Sequence, residues 1–229
     1  MEIRDLFLKA QTEGRNSLLY TEAKELLKTW GIPVAQSKIA QDKEGALRAA
    51  RSIGFPVVMK ILSPDVVHKS DAGGVIADLR TEEEIVQAFD RMTESFKKEK
   101  PGIRIEGVVV EKLLSGIEVI IGATKDPQFG HVLMFGMGGV FVELLKDTSF
   151  RLIPIEPVDA EEMIKEVKGY PLLEGFRGKI GNIQSLKDLL LKVSDLVVHY
   201  PQILEMDLNP VFTFASGSIV ADARITLAG

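Results

Sequence analysis

The sequence predicts an α+β fold with two sheet-containing lobes. Strand-length apolar runs and amphipathic helices are mixed along the chain, but not in the strict βαβ alternation of a doubly wound parallel sheet. Three strand-like runs between Ile105 and Phe135 follow one another with no helix between them. The 229 residues suffice for one large core or for two small lobes.

The elements follow in order. Residues 1–16 are polar and read as a short helix or arm. Ser17–Trp30 places Ala23, Leu26, Leu27 and Trp30 on one helix face, and Gly31 and Pro33 stop it. Lys43–Ile53 repeats the scheme with Ala46, Leu47, Ala50 and Ile53 inward, closed by Gly54 and Pro56. Val57-Val-Met-Lys-Ile61 is a buried strand carrying one lysine, and Gly73–Leu79 is a second strand. Thr81-Glu-Glu-Glu84 is a capping box opening a helix with Ile85, Ala88, Phe89, Met92 and Phe96 inward. Ile105–Leu114, Glu118–Ala123 and His131–Phe135 are strands, with Asp126–Gly130 as the turn between the last two. Gly136-Met-Gly-Gly139 is a glycine-rich bend and Ser149–Ile155 a further strand. Asp159 and Ser185 read as helix N-caps, the second helix running through Lys187–His199 to Pro201. Leu204–Val211 and Ile219–Asp222 close the chain as a hairpin, and Ser115-Gly116 is the hinge candidate between lobes.

A net charge of −5 argues against nucleic acid as the main partner. There is no apolar run long enough to span a bilayer and no signal-peptide pattern, so a cytoplasmic, non-membrane protein is expected. Cysteine is absent, which excludes disulfides, thiolate nucleophiles and Cys-based metal sites. Asparagine occurs only at Asn16, Asn182 and Asn209, while Glu, Lys and Ile are plentiful, the lean of thermophile proteins.

The chemistry concentrates in a few segments. Asp207 and Asn209, two apart on a strand, share a face. A turn centred on Ser216-Gly217 pairs Phe214 with Ile219 and puts Val211 opposite Asp222, so Asp222 lies diagonal to Asn209 on the same face, about 7–8 Å away. Oxygen ligands at an open site suit Mg²⁺; the alternative is the polar solvent face of an edge hairpin. Lys60 sits inside an apolar strand and needs a counter-charge, which a phosphate can supply; the alternative is that it snorkels from an edge or pairs with a carboxylate. In His68-Lys-Ser-Asp-Ala-Gly-Gly74, the glycines Gly73 and Gly74 let backbone amides approach an anion and Lys69 adds charge; an ordinary hairpin turn fits as well. Val110-Glu-Lys-Leu-Leu114 ends a strand where backbone groups can meet an adenine over Leu113 and Leu114, with Glu111 and Glu118 for the exocyclic amine and the ribose; a plain strand end is the other reading. No G-x-x-x-x-G-K-[ST] loop occurs, and Gly136-Met-Gly138 lacks the third glycine of a dinucleotide fingerprint. His131 and His199 read as structural, leaving His68 as the histidine nearest plausible chemistry.

In this order, a strand lysine, a glycine loop, a hinge glutamate and an acidic/Asn hairpin resemble an ATP-grasp domain. More narrowly, Gly54-Phe-Pro-Val-Val-Met-Lys60, His68-Lys-Ser-Asp-Ala-Gly-Gly-Val75, Phe135–Asp147 with Phe150-Arg-Leu152, and Glu205-Met-Asp-Leu-Asn-Pro210 resemble the β subunits of ADP-forming acetate–CoA ligases over residues 14–227. The succinyl-CoA synthetase β subunit is related but carries a further domain. The resemblance implies an ATP-grasp fold with the nucleotide between two lobes, residues 22–112 and 113–229, the arm 1–21 packing on the second. It implies ATP/ADP and Mg²⁺, and an α subunit that carries the CoA site and a first phosphohistidine, in an α2β2 assembly. His68 would relay the phosphoryl group with support from Asp207; Lys60 would bind phosphate; Glu111 and Glu118 would take hinge and ribose positions; Asn209 and Asp222 would hold Mg²⁺. No role follows for Glu143 or Arg151. Two rivals remain: a stand-alone ATP-grasp carboxylate ligase, which would not need His68, and a non-enzymatic nucleotide-sensing subunit.

Overall fold

The computed structural model describes residues 2–63, 73–99, 102, 104–139 and 146–228. The chain divides into two compact units: residues 1–34 with 115–229, and residues 35–114. The boundaries at Ala35 and Ser115 compare with 22 and 113 read from the sequence. The first moves because the helix crossing residue 22 buries its apolar face in the larger unit, and the second falls at the predicted hinge.

The smaller unit is a four-stranded antiparallel sheet with helices on one face. Its strands are β1 (Ser37–Ala40), β2 (Val57–Leu62), β3 (Val75–Leu79) and β4 (Gly107–Lys112), in the order β1-β4-β2-β3. Helices α3 (Lys43–Ile53) and α4 (Glu82–Glu99) cover it. The predicted inward residues Ala46, Ala50, Ile53, Ile85, Ala88, Phe89, Met92 and Phe96 pack on Val57, Met59, Ile61, Val108 and Val110. Alternation therefore turns Lys60, Val109 and Glu111 to the other face. The capping box read at Thr81 forms, Thr81 and Glu84 exchanging reciprocal bonds at 3.2 Å, and α3 is capped by Asp42, which accepts from Gly45 N–H at 2.6 Å. Gly107 has φ +136° and lies against the Ala40 carbonyl, where a side chain would collide with backbone.

The larger unit is a six-stranded antiparallel sheet. Its strands are β5 (Ile117–Asp126), β6 (Gly130–Met137), β7 (Thr148–Leu152), β8 (Ile203–Phe214), β9 (Gly217–Val220) and β10 (Ala223–Leu227). The order is β10-β8-β5-β6-β7, with β9 also on β8. Helices α1 (Ile3–Thr12), α2 (Tyr20–Thr29), α5 (Pro157–Glu166), α6 (Tyr170–Gly175) and α7 (Ile183–His199) complete the unit. They share one core with Val119, Ile121, Leu133, Phe135, Met206, Leu208 and Ile225 of the sheet. The other face carries Glu118, Ile120, Gly122, Asp207 and Arg224 by alternation and register.

Two helix starts lie earlier than read. Asn182, not Ser185, caps α7, its side chain accepting from Ser185 N–H at 2.8 Å. Glu156, not Asp159, is the cap of α5, and the Asp159 carboxylate accepts from Glu156 N–H at 2.7 Å. A short polar side chain three residues into a helix reaches back to the same unpaired terminus, so sequence signals the start without fixing the cap.

The N-terminal arm belongs to the larger core through Ile3, Leu6, Phe7 and Ala10. An ionic clasp holds it. Glu22, 5% exposed, accepts from the two terminal Arg15 guanidinium nitrogens, Nη1 and Nη2 (2.9 and 3.1 Å), and from Leu19 N–H (2.9 Å), with Lys9 Nζ at 3.0 Å. Burial alone would raise the Glu22 carboxyl; Arg15, the Leu19 amide and Lys9 outweigh it and hold it below its ordinary value. Glu22→Gln removes charge-assisted bonds worth about 2–3 kcal/mol. Thermal melts at pH 7 should therefore show a Tm lower by about 4–10 °C. Because the folded value is depressed, the wild-type advantage is complete above the usual glutamate value of 4.5 and shrinks as pH falls through the lower folded value. Equal melting temperatures at pH 7 would show that the clasp contributes nothing.

Candidate functional site

The candidate residues fall into two groups, one in each unit. In the smaller unit, Lys60 of β2 and Glu111 of β4 point from neighbouring strands to the face away from α3 and α4. Both are buried, and Lys60 Nζ donates to Glu111 Oε1 at 3.3 Å. The counter-charge that the strand lysine required is thus present within the protein: Glu111 sits beside Lys60. Gly73-Gly74 leads into β3 next to this pair; Val75 is the register partner of Lys60, and Gly74 O accepts from Ile61 N–H at 2.8 Å. Gly73 has φ +67°, which suits glycine at a turn. Leu113 N–H donates to Pro56 O at 3.2 Å and Lys112 N–H to Gln36 O at 3.0 Å, so these amides are committed inside the sheet edge. His68, Lys69 and Glu143 lie outside the described residues.

In the larger unit, Glu118, Asp207, Asn209 and Asp222 lie on the face away from the helices. The hairpin register differs from the sequence reading. Phe214 pairs with Gly217, not Ile219, and Val211 opposes Val220, not Asp222. The turn is thus Ala215-Ser216. The register brings Thr213 opposite Ser218, both buried, with Ser218 Oγ donating to Thr213 Oγ1 at 2.9 Å and 2.6 Å from Ser185 Oγ. Buried hydroxyls must pair, and this alignment pairs them. The slip is two residues, so every side chain keeps its face.

The same slip brings Asp222 directly opposite Asn209 rather than diagonal to it. Asn209 N–H donates to Asp222 O at 3.2 Å, and Arg224 opposes Asp207 in β10. On the other side of β8, Val119 pairs with Val211 and Ile121 with Leu208, so β5 spans two steps where β8 spans three. The resulting bulge lies at Asn209-Pro210, and such a bulge re-aims side chains. Asn209 is exposed and Asp222, in the link between β9 and β10, is half-buried, so oxygen-bearing groups face each other at an accessible kink. Hard oxygen donors of this kind fit Mg²⁺, which keeps several ligands from water and phosphate.

Burial raises the Asp207 carboxyl above its ordinary value, the charges of Glu205 and Asp222 push it the same way, and Arg224 opposes them. An unpaired anion accumulating here is therefore resisted, and a cationic partner is favoured. Glu118 carries its carboxylate beside the glycine bend, with Gly138 N–H donating to Glu118 O at 2.8 Å. Arg151, to which the sequence assigned no role, is tied to Glu166 and, at 3.2 Å, to Glu162 of α5. His131 Nε2 is 2.8 Å from Ile203 O, and His199 Nδ1 is 3.1 Å from Asp195, in keeping with structural roles. Among the described residues no helix is long and apolar enough to cross a membrane.

Comparison with known proteins places the chain in a family. Residues 9–227 match the ATP-grasp domain family. The chain is 47% identical over 226 residues to the β subunit of acetate–CoA ligase (ADP-forming) I of Pyrococcus furiosus, covering 98% of this chain and 97% of that one. Among solved structures, it resembles dinucleotide forming acetyl-coenzyme A synthetase 1 of Ca. Korarchaeum cryptofilum in complex with coenzyme A, Ca-AMPCP and HgCl+. That match has a TM-score of 0.94 and 50% identity over 99% of this chain and 100% of that chain. A second complex of that enzyme, with coenzyme A and Mg-AMPPCP and its phosphohistidine segment pointing towards the nucleotide binding site, matches with a TM-score of 0.85 and 48% identity over 99% of this chain and 100% of that chain. On the strength of these full-length matches, the chain belongs to the ATP-grasp family, among the β subunits of the ADP-forming acetate–CoA ligases.

Proposed function

We propose that this chain is the nucleotide-binding β subunit of an ADP-forming acyl-CoA synthetase. With an α subunit it converts acetyl-CoA, ADP and phosphate to acetate, CoA and ATP. The observation that carries the reading is the Asn209/Asp222 pair opposed at the β8 kink beside Asp207, in a chain matching acetate–CoA ligase β subunits over nearly its full length.

The residues take these roles. Lys60 donates to a nucleotide phosphate, with Glu111 holding its ammonium in place. Gly73 and Gly74, with Lys69, approach the phosphates. Leu113 contributes apolar floor for the base, and Glu118 accepts from the ribose hydroxyls. Asn209 and Asp222 hold Mg²⁺, which supplies neutralisation of the charge on the phosphates. His68 accepts the phosphoryl group from a histidine of the partner and passes it to ADP. Asp207 accepts from the other ring nitrogen of His68, as a carboxylate orients histidine in a triad. The CoA site and the first histidine belong to the α subunit, in an α2β2 cytoplasmic assembly.

Co-purification with the native α subunit followed by an acetyl-CoA/ADP/phosphate assay tests the whole reading. ATP formation by the complex and none by the β chain alone is expected; turnover of a free carboxylate by the lone chain would instead select a stand-alone ligase. The metal assignment has its own test. Asp222→Asn should raise the Mg²⁺ requirement and slow phosphoryl transfer more than it weakens ADP binding, because metal charge matters most as transfer proceeds. A Mg²⁺ titration of the variant complex that overlays the wild type would refute it.

A further inference from the structure

The glycine-rich bend after β6 is not used by the roles above, yet its packing ties it to one of them. Met137 pairs with Val119, which sets Gly138 beside Glu118. A Cβ on Gly138 would stand 2.8 Å from Glu118 Cβ, 2.9 Å from its carbonyl carbon and 3.1 Å from its carbonyl oxygen. Those atoms are backbone or next to it and cannot swing away. Gly139, at φ +60°, would bring a Cβ to 3.6 Å from Glu118 Oε2. Glu118 is therefore packed against position 138 so closely that only glycine fits there, while its carboxylate lies within ordinary contact distance of position 139.

A buried carboxylate fixes the bend from behind. Asp147, 4% exposed, accepts from Lys168 N–H at 2.6 Å and Gly169 N–H at 2.7 Å. Its own carbonyl accepts from Met137 N–H at 3.1 Å. Gly169 is packed so closely on Met137 that a Cβ there would lie 2.5 Å from Met137 Cγ. One residue thus holds the end of β6, the start of β7 and the segment leading into α6.

We propose that Gly138 and Asp147 are positioning residues for nucleotide binding, acting through Glu118: Asp147 fixes the end of β6, and the side-chain-free bend seats the Glu118 carboxylate. This rests on the assignment of Glu118 to the nucleotide. The alternative is that bend and clamp serve folding alone.

A double-mutant cycle on the full-length chain separates the two. Calorimetric titration with Mg·ADP should show Glu118→Gln and Gly138→Ala each weakening binding about tenfold, the size expected for one charge-assisted bond lost or misplaced. Glu118→Gln/Gly138→Ala should lose little more than either alone, since both act on one interaction. An approximately hundredfold loss in the double variant means the effects add, and overturns the positioning while leaving Glu118 on the nucleotide. A silent Glu118→Gln overturns the assignment of Glu118, and the positioning with it. If Gly138→Ala does not fold, Asp147→Asn takes its place in the same cycle with the same criteria. Its amide nitrogen cannot accept, so one clamp bond is lost at almost no change in volume.

Discussion

Lys60→Met should lose both ADP affinity and stability. The ammonium's bond to a phosphate is worth about 1.5–3 kcal/mol, so Mg·ADP affinity should drop about 10–150-fold. Stability falls as well, because Glu111, 2% exposed, would keep its carboxylate without the ammonium. Removing one member of a buried pair destabilises by about 3–5 kcal/mol. Lys60→Met/Glu111→Gln should recover most of the stability, since a neutral amide is cheaper to bury than a carboxylate. It should not recover ADP affinity. Thermal melts and calorimetry on the three proteins check this. Wild-type melting of Lys60→Met would mean that the ion pair contributes nothing to the fold; a folded variant with unchanged affinity would remove Lys60 from the nucleotide site.

The second large effect concerns His68. Incubation of the αβ complex with acetyl-CoA and ³²P-phosphate, without ADP, should label the β chain with an acid-labile, base-stable phosphate. His68→Asn should abolish that label and ATP synthesis while the α subunit stays labelled. In the proposed sequence, the N–P bond on the partner's histidine breaks as one forms on His68. That bond breaks in turn as the terminal ADP oxygen takes the phosphoryl group. A neutral imidazole nitrogen is nucleophilic near pH 7, and a second carrier bridges a CoA-side phosphate site and an ADP site on different chains. A β chain that never takes label, or His68→Asn with full ATP synthesis, would eliminate the relay and reduce His68 to a binding residue.

Much of the architecture is legible in the sequence because periodicity is local. The helix over Lys43–Ile53 keeps the bounds its pattern predicts, and Ile85, Ala88, Phe89, Met92 and Phe96 are all buried as read. Alternation likewise placed Asp207 and Asn209 on one face before any register was known. Where several residues can give the same local signal, the sequence is ambiguous by a few positions: Asn182 rather than Ser185 caps α7, and Ala215-Ser216 rather than Ser216-Gly217 makes the hairpin turn.

By itself, then, the sequence determined the α+β class, the faces of its strands and helices, and the family to which its motifs belong. Tertiary structure decided which side chains meet. Glu111 is 51 residues from Lys60, and only the β2–β4 pairing makes it the lysine's partner. The observed hairpin register sets Thr213 opposite Ser218, which in turn meets Ser185, and that register moves Asp222 from the diagonal of Asn209 to the position opposite it. Asp147 gains its meaning from Lys168 and Gly169, two amides from a distant loop. The physical reason is common to all three. Side-chain period follows from the local geometry of the backbone, whereas the pairing of buried polar groups is settled when distant strands and helices pack and each such group must find a partner.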